Sequence, residues 1–304
     1  MNKKNKVIIT GGAGFIGSHL ADALVERGDE VQVIDNLFTG KRENVNPKAR
    51  FHEIDIRDYE KLLPVFQGVD YVFHLAALAR VQPSIKDPKT SEDVNVTGTL
   101  NVLLAAREGG AGRVIYSASS SAYGNQEVLP FKEDMTPQPI SPYALQKYVG
   151  ELWSALFSKI YGLRTVSLRY FNVYGPRAPG EGTYALAISR FLSQRKQGEP
   201  LTVVPDGRQS RDLVNVRDVV RANLLAMESG KVGEGEIINI AAGKSHTVLE
   251  LAALIGGPTV FIEPRIEPKH TLADISKAKE LLGWSPTIKF EDGIAELKKL
   301  YGLA

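Results

Sequence analysis

Through the first half of the chain, short β-branched apolar runs alternate with stretches whose apolar residues recur three and four positions apart. Residues 7–10 form the first such run, and 15–27 carry the first helical spacing. The same pattern predicts strands at 31–34, 50–54, 70–74, 114–117 and 164–169, and helices at 59–66, 94–108 and 142–161. Short buried strands alternating with helices are the pattern of βαβ units, so the fold class is α/β with a doubly wound parallel sheet. Right-handed crossovers then bring every strand's carboxyl end to one edge, where ligands bind. After residue 169 the rhythm breaks into a Gly- and Pro-rich loop at 170–184. Helices follow at 185–197, 218–227, 248–255, 276–282 and 290–301, with strands at 201–204 and 236–240. This predicts two parts: a sheet domain over 1–169 that also takes in about 213–240, and a smaller, discontinuous lobe from 170–212 and 241–304.

Composition narrows the function classes. The chain has 304 residues, enough for a full core without metal or disulfide staples. Its formal net charge of +2 provides no strong field for nucleic acid or a membrane surface. Cysteine is absent, which excludes disulfides, thiolate metal sites and cysteine nucleophiles and fits a reducing, cytoplasmic setting. The histidines, at 19, 52, 74, 246 and 270, show no metal-ligand spacing, so no metal is expected. Lys3, Lys4 and Lys6 before an apolar run imitate a signal peptide, but glycines at 11, 12, 14 and 17 interrupt it. The segment reads as strand, turn and helix.

That turn, Thr10-Gly-Gly-Ala-Gly-Phe-Ile-Gly17, is the first candidate for chemistry. It fits both G-x-G-x-x-G and G-x-x-G-x-x-G. Such glycines allow a tight turn and let the backbone approach a pyrophosphate at a helix N-terminus. A predicted strand precedes it, a predicted helix follows, and Asp35 closes the next strand. This is the context of a Rossmann-type dinucleotide site. Asp35 in that place binds the adenosine ribose hydroxyls and repels a 2′-phosphate, favouring NAD over NADP, although Lys41 and Arg42 follow closely.

The second candidate is Tyr143 and Lys147, four residues apart and therefore on one face of a helix. Phenol is a poor base at neutral pH, with a reference pKa of about 10. A fixed ammonium nearby favours the phenolate, so the spacing predicts a tyrosine whose pKa the lysine lowers.

Further stretches accompany these two: Asp35-Asn-Leu, Asp55-Ile, His74-Leu-Ala-Ala77, Asn95-Val-Thr-Gly98, Ser117-Ala-Ser-Ser-Ser-Ala-Tyr-Gly124, Ser141-Pro-Tyr143, Arg169-Tyr-Phe-Asn-Val-Tyr-Gly175, Ser210-Arg-Asp212 and Ala273-Asp-Ile-Ser-Lys-Ala278. In this order, and nearly end to end, the chain resembles the extended short-chain dehydrogenase/reductase family. Within it the likeness is to NAD-dependent nucleotide-sugar epimerases of the UDP-glucose and UDP-N-acetylglucosamine 4-epimerase type.

The resemblance implies a role for each matching position. Gly11, Gly14, Phe15, Ile16 and Gly17 form the cofactor cradle, with Asp35, Asn36, Thr39 and Gly40 after the second strand. Asp55 and Ile56 match adenine contacts, and Leu75, Ala76 and Ala77 the small residues beside the cofactor phosphates and ribose. Tyr170 belongs to the same cofactor set, as does Asn95, which orients the active-site helix. Ser119 matches the catalytic hydroxyl on the sugar's 4-hydroxyl, with Ser120 and Ser121 as neighbours able to stand in. Tyr143 matches the base, and Lys147 the residue that holds the nicotinamide ribose and lowers the tyrosine pKa. Asn172 and Arg211 match groups on the nucleotide diphosphate. Thr271 occupies a sugar-pocket position where a tyrosine excludes N-acetyl sugars and a small residue admits them. Relatives carry Arg-x-Gly-Asp/Glu shortly before this position. Here Pro264 stands in the arginine place, Arg265 lies one residue late and the glycine is absent, leaving Arg265 or Lys269 to reach the phosphates.

The implied reaction is reversible C4 epimerisation of a UDP-hexose through a 4-keto intermediate, with UDP-Glc/UDP-Gal and UDP-GlcNAc/UDP-GalNAc both accepted. Sugar dehydratases and decarboxylases of the family carry an acidic residue after the catalytic Ser/Thr. Positions 120 and 121 are serine, which favours simple epimerisation. An NAD(P)H-dependent 4-keto-sugar reductase is the enzymatic alternative. A nonenzymatic NAD-sensing module has no use for Ser119, Tyr143 and Lys147 together. Relatives pair two helices into a homodimer's four-helix bundle. Leu152, Leu156, Phe157 and Ile160, with Leu100, Leu103 and Leu104, offer the apolar surface for that.

Overall fold

The computed structural model describes residues 4–180, 187–263 and 269–303. Seven strands form one parallel sheet. Six come from the first part of the chain: β1 (Lys6–Thr10), β2 (Glu30–Asp35), β3 (Arg50–Glu53), β4 (Tyr71–His74), β5 (Arg113–Ser119) and β6 (Thr165–Tyr170). The Glu234–Ile240 strand pairs in parallel with β6 and completes the order Glu234–Ile240, β6, β5, β4, β1, β2, β3. The order reverses direction between β1 and β4, which opens a crevice above their carboxyl ends.

Apolar side chains along the strands explain why both sheet faces are covered. Val7 and Ile9 join one core cluster with Leu20, Leu24, Val219 and Trp284, while Ile8 between them joins the other with Val102, Leu103 and Phe157. Successive residues of a strand point to opposite faces, so a continuous apolar run requires a helical layer on each side. Phe15–Glu26 and Val216–Glu228 cover one face; Gly98–Glu108 and Pro142–Tyr161 cover the other. Full burial of each large aliphatic side chain contributes about 1.5–3 kcal/mol. Phe157 and Leu103, expected on exposed apolar faces, lie in this core instead, because the helices present those positions to the sheet.

The remaining described chain forms short pairings: Val173–Tyr174 with Val214–Asn215, Ser210–Asp212 with Ser245–Thr247, and Leu201–Val203 with Thr259–Phe261. A further cluster around Leu192, Leu251, Phe290 and Leu297 packs these with their helices. Two short helices, Val81–Lys86 and Pro88–Glu92, carry no amphipathic period and were not expected. Asp87 caps the second of them by accepting from Thr90 N–H (3.1 Å), and both pack on the Pro142–Tyr161 helix. The expected helix at 94–108 begins with a widened π-type turn over Asp93–Thr97 before becoming regular at Gly98. Among the described residues, no helix is long and apolar enough to cross a membrane.

Arg113 ties the last part of the sheet together. Its buried guanidinium donates to the carbonyls of Ala226 (2.6 Å), Met227 (3.1 Å), Ser229 (2.9 Å) and Val232 (2.8 Å). It thereby closes the C-terminal end of the Val216–Glu228 helix and aims the chain into the seventh strand. Arg113→Met is expected to destabilise the fold by about 3 kcal/mol, since those carbonyls lose a charged donor. A urea unfolding midpoint unchanged from the native chain would contradict this role.

Candidate active site

A cavity of about 620 Å³ lies over the carboxyl ends of the sheet strands. At one end is the glycine turn between β1 and the Phe15–Glu26 helix. Gly11 has φ +75°, and a Cβ there would meet Ala76 N at 2.7 Å. A Cβ on Gly17 would lie 2.2 Å from the Gly11 carbonyl oxygen. Only glycine permits this closeness. The helix opens on Gly14 with no side-chain cap, so its first N–H groups face the cavity side as an anion site.

Asp35, at the end of β2, accepts from Ala13 N–H (3.0 Å) and Leu37 N–H (2.9 Å), and burial raises its pKa. Leu37 takes a positive φ of 58° to make this tight turn. Asn36 donates to Asp55 (2.8 Å), whose carboxylate also receives Arg57. The Arg57 hydrogen bond brings the Asp55 pKa to about 2. Gly11, Gly14, Phe15, Ile16, Gly17, Asp35, Asn36, Thr39, Asp55, Ile56, Leu75, Ala76, Ala77 and Tyr170 all line the cavity. Gly40 stands behind Asp35, where a Cβ would come 2.9 Å from the carboxylate. Lys41 and Arg42, the cations that left an opening for a 2′-phosphate, are engaged elsewhere. Lys41 is 3.9 Å from Glu43, and Arg42 stacks 3.9 Å over the Phe51 ring.

Asn95 does not line the cavity. Its side chain accepts from Leu78 N–H (2.8 Å) and donates to the Leu78 carbonyl (3.2 Å) and to Gln146 (2.8 Å). It therefore acts from behind, clamping a wall segment to the Pro142–Tyr161 helix. The widened turn at Asp93–Thr97 carries this side chain.

That helix forms the central wall. Ser141 caps it by accepting from Ala144 N–H (3.2 Å), Pro142 fills its first turn, and Gly162 ends it in a left-handed conformation. Gly150 allows it to lie directly on β5, because a Cβ there would sit 2.1 Å from the Tyr116 hydroxyl. Lys147 consequently rests its ammonium 4.4 Å over the Tyr116 ring. Tyr143 lies one turn earlier, its phenol close enough to Ser119, at the end of β5, for the serine to favour the phenolate. Ser119 also accepts from Ser121 Oγ (2.8 Å) and Ser121 N–H (3.2 Å). Ser119, Ser120, Ser121, Tyr143 and Lys147 share the one cavity.

The electrostatics differ from the simple expectation. Burial raises the Tyr143 pKa; the Ser119 hydrogen bond and the Arg80 guanidinium oppose that rise, and Lys147 is not among the opposing influences. Lys147 is itself buried, which brings its pKa to about 7 despite the nearby Glu151 carboxylate. An ammonium so close to losing its proton at neutral pH is a weak counter-charge for a phenolate. In this structure the pair is two desolvated groups whose charged forms are both disfavoured.

The opposite end of the cavity gathers Asn172, Arg211 and Thr271 from widely separated segments. Asn172 donates to the Asp212 carbonyl (3.2 Å) and toward Thr271 Oγ1 (3.4 Å). Arg211 donates to the carbonyls of Ser210 (3.0 Å) and Lys269 (3.2 Å). Asp212 beneath them is fully buried and accepts from the backbone N–H groups of Ala242 (2.7 Å), Gly243 (3.0 Å) and Ala273 (3.2 Å). Burial pushes its pKa up to about 7. Arg265 and Pro264 lie outside the described residues. Phe38, Arg80, Pro179 and Arg190 also line the cavity. Nothing in their local sequence pattern marked them, because each reaches the cavity from a loop, a short helix or the second half of the chain.

The chain matches the family described as "NAD dependent epimerase/dehydratase" over residues 7–241. It is 40% identical to a UDP-glucose 4-epimerase of Thermotoga maritima solved with UDP-glucose, with a TM-score of 0.92 over 97% of this chain and 99% of that one. A UDP-N-acetylglucosamine 4-epimerase of Methanobrevibacter ruminantium, solved with UDP-N-acetylmuramic acid, is 38% identical at a TM-score of 0.93, covering 98% of both chains. A UDP-glucose 4-epimerase of Thermus thermophilus complexed with NAD is 35% identical at a TM-score of 0.91, covering 98% of this chain and 99% of that one. The glycine cradle, which no side chain could enter, and the carboxylate of Asp35 fit such a dinucleotide.

Asp35→Ser is expected to weaken NAD binding about tenfold, the loss of a charge-assisted hydrogen bond, and to improve NADP binding by removing the repelling carboxylate. Calorimetric titration with both dinucleotides reads this directly; unchanged NAD affinity would remove Asp35 from the site.

Proposed function

The chain belongs to the NAD dependent epimerase/dehydratase family, with NAD as its cofactor, and within that family we propose that it catalyses reversible C4 epimerisation of UDP-hexoses. The convergence of Ser119, Tyr143 and Lys147 on one cavity carries this reading, with the glycine cradle at one end and Asn172, Arg211 and Thr271 at the other. A second feature separates it from elimination or decarboxylation. Among the described residues, the only carboxylates lining the cavity are Asp35 and Asp55, both at the cradle end. No acid stands beside Ser119 to drive a second bond cleavage.

Bound NAD supplies the reversible acceptance and return of a hydride at sugar C4. The chain's residues handle the proton and the positions. Tyr143 takes the 4-hydroxyl proton, and Ser119 holds that hydroxyl by hydrogen bonding and relays to the phenol. Lys147 would hold the cofactor ribose, and its protonated form would supply the positive charge that favours the phenolate. Asn172 and Arg211 hold the UDP diphosphate, with Arg265 or Lys269 as a further cation, so that the 4-keto sugar can turn while tethered. Ser120 lies on the sugar side. Thr271, small and polar, leaves room for an N-acetyl group, which supports acceptance of UDP-GlcNAc/UDP-GalNAc as well as UDP-Glc/UDP-Gal. We assign 1–169 with 213–240 to cofactor binding, and 170–212 with 241–304 to the nucleotide-sugar lobe.

The protein incubated with UDP-, GDP- and dTDP-sugars and no added cofactor is expected to interconvert both UDP pairs without net NADH. Tyr143→Phe is expected to lower kcat by at least about a hundredfold while retaining sugar binding. Product formed only with added NADPH would instead identify a 4-keto-sugar reductase, and no turnover of the acetylated pair would exclude that substrate.

A homodimer is the assembly we propose. Leu145 (51% exposed), Leu152 (51%), Leu156 (40%) and Ile160 (59%) form an apolar stripe along the outer face of the Pro142–Tyr161 helix. Leu100 and Leu104 lie partly buried on the neighbouring helix. A stripe of this length in water favours pairing with its symmetry mate. Leu152→Glu with Leu156→Glu is expected to give monomers by sedimentation velocity; an unchanged sedimentation coefficient, or a native chain already monomeric, would count against the bundle.

A further inference from the structure

We propose that Glu151 is a positioning residue for the proton transfer: its carboxylate, locked onto Arg169 one turn beyond Lys147, holds the proton on Lys147 and so keeps an ammonium on the helix face that carries Tyr143. The inference rests on the epimerase reading for its use, though not for its test.

Tyr143, Lys147 and Glu151 stand at successive four-residue steps on one face of the helix. At 1.5 Å of rise per residue, Glu151 is about 6 Å along the axis from Lys147 and about 12 Å from Tyr143. Glu151 has no exposed surface. Both its oxygens are used by Arg169, through Nε (2.8 Å) and NH2 (2.7 Å). Burial raises the Glu151 pKa, and the guanidinium opposes that rise, because bidentate pairing favours the ionised carboxylate. Arg169 is held in turn on the Tyr123 ring, 4.5 Å from its centroid. The carboxylate therefore cannot swing away from the lysine.

The neighbours of Lys147 on β4 and β5 are uncharged. Tyr116 lies beneath it from β5, and burial raises that phenol well above its usual range. From β4 comes His74, whose tautomer follows from its partners. Thr99 donates its hydroxyl proton to the Asn95 carbonyl (2.7 Å), so it accepts from His74 Nε2 (2.9 Å). His74 Nδ1 then accepts from Thr10 (2.7 Å), and the ring is neutral. Arg169 on β6 turns its charge onto the Glu151 carboxylate and partly offsets it, and Arg80 acts on the phenol rather than on the ammonium. Only Glu151 acts to retain the proton on Lys147.

The productive arrangement, phenolate beside ammonium, has the same proton count as phenol beside amine. Only the internal position of one proton distinguishes them. A fixed negative charge nearer the lysine than the tyrosine stabilises the ammonium more than it destabilises the phenolate. Glu151 thus shifts this balance toward the form that accepts the 4-hydroxyl proton, without touching substrate or cofactor.

The test reads Lys147 itself, by NMR titration of lysine-¹³C-labelled, substrate-free protein, with Lys147→Arg to assign its signal. Glu151→Gln is expected to lower the Lys147 midpoint by about one pH unit or more. The alkaline limb of the epimerisation kcat should move down with it, while KM stays essentially unchanged. A merely structural role would lower the melting temperature and leave that midpoint in place. Removing one partner leaves a buried guanidinium uncompensated, so Glu151→Gln with Arg169→Met is the folding-safe companion, and it should show a smaller downward shift because the opposing guanidinium leaves with the carboxylate. An unchanged Lys147 midpoint in either folded variant overturns the proposal. Absence of epimerisation by the native chain would instead overturn the epimerase reading and leave the titration result intact.

Discussion

The close contact between the Pro142–Tyr161 helix and β5 is the constraint on which the site depends. With no Cβ at Gly150, the Tyr116 hydroxyl rests against the helix backbone, 3.3 Å from the Lys147 carbonyl it donates to. Everything functional on that helix follows from this separation. The Lys147 ammonium rests over the Tyr116 ring, Tyr143 lies over the end of β5 beside Ser119, and Glu151 reaches Arg169 on the next strand. A helix standing one methyl group farther out would separate the phenol from the serine and the carboxylate from its arginine. Asn95 and Gln146 maintain the same closeness from the flank, joining the helix to the Leu78 wall.

Such closeness has an electrostatic cost. Burial makes the phenolate of Tyr143 and the ammonium of Lys147 harder to form, and each group lies off its ordinary pKa in the unfavourable direction. The site is thus prepared for charges that it does not yet hold comfortably. A desolvated group with a perturbed pKa is characteristic of sites that move protons, because the small remaining bias decides where the proton rests. The surrounding fold tolerates that cost because two covered sheet faces supply a large apolar core.

The other side of the cavity depends on a second buried group. Asp212 accepts three backbone N–H groups from the 242–243 turn and from Ala273, and its own N–H donates to Thr271 (3.1 Å). These contacts hold Asn172, Arg211 and Thr271, which lie far apart in the chain, at one end of a single cavity. The carboxylate therefore acts as a hub for the segments that leave and re-enter the main sheet.

The sequence alone determined the sheet, its parallel sense and the glycine turn, and it singled out Tyr143 and Lys147 as a pair on one helix face. Strand and helix periods are local, and glycine or a cap can be read from its neighbours. Thr10 to Gly17, Asp35, and the boundaries of the Pro142–Tyr161 helix were legible for this reason. What lay outside local pattern was decided by packing. Phe157 and Leu103 proved to be core because the sheet lies on their side of the helices. Asn95, buried in the widened turn at Asp93–Thr97, acts from behind the wall because its partners are Leu78 and Gln146. Arg80 and Arg190 reach the cavity only because the chain folds over it. The expected lowering of the Tyr143 pKa by Lys147 failed for a physical reason. Spacing reports that two groups share a helix face, but the charge each carries is set by the solvent it has lost and by partners such as Glu151, which only the tertiary structure brings into place.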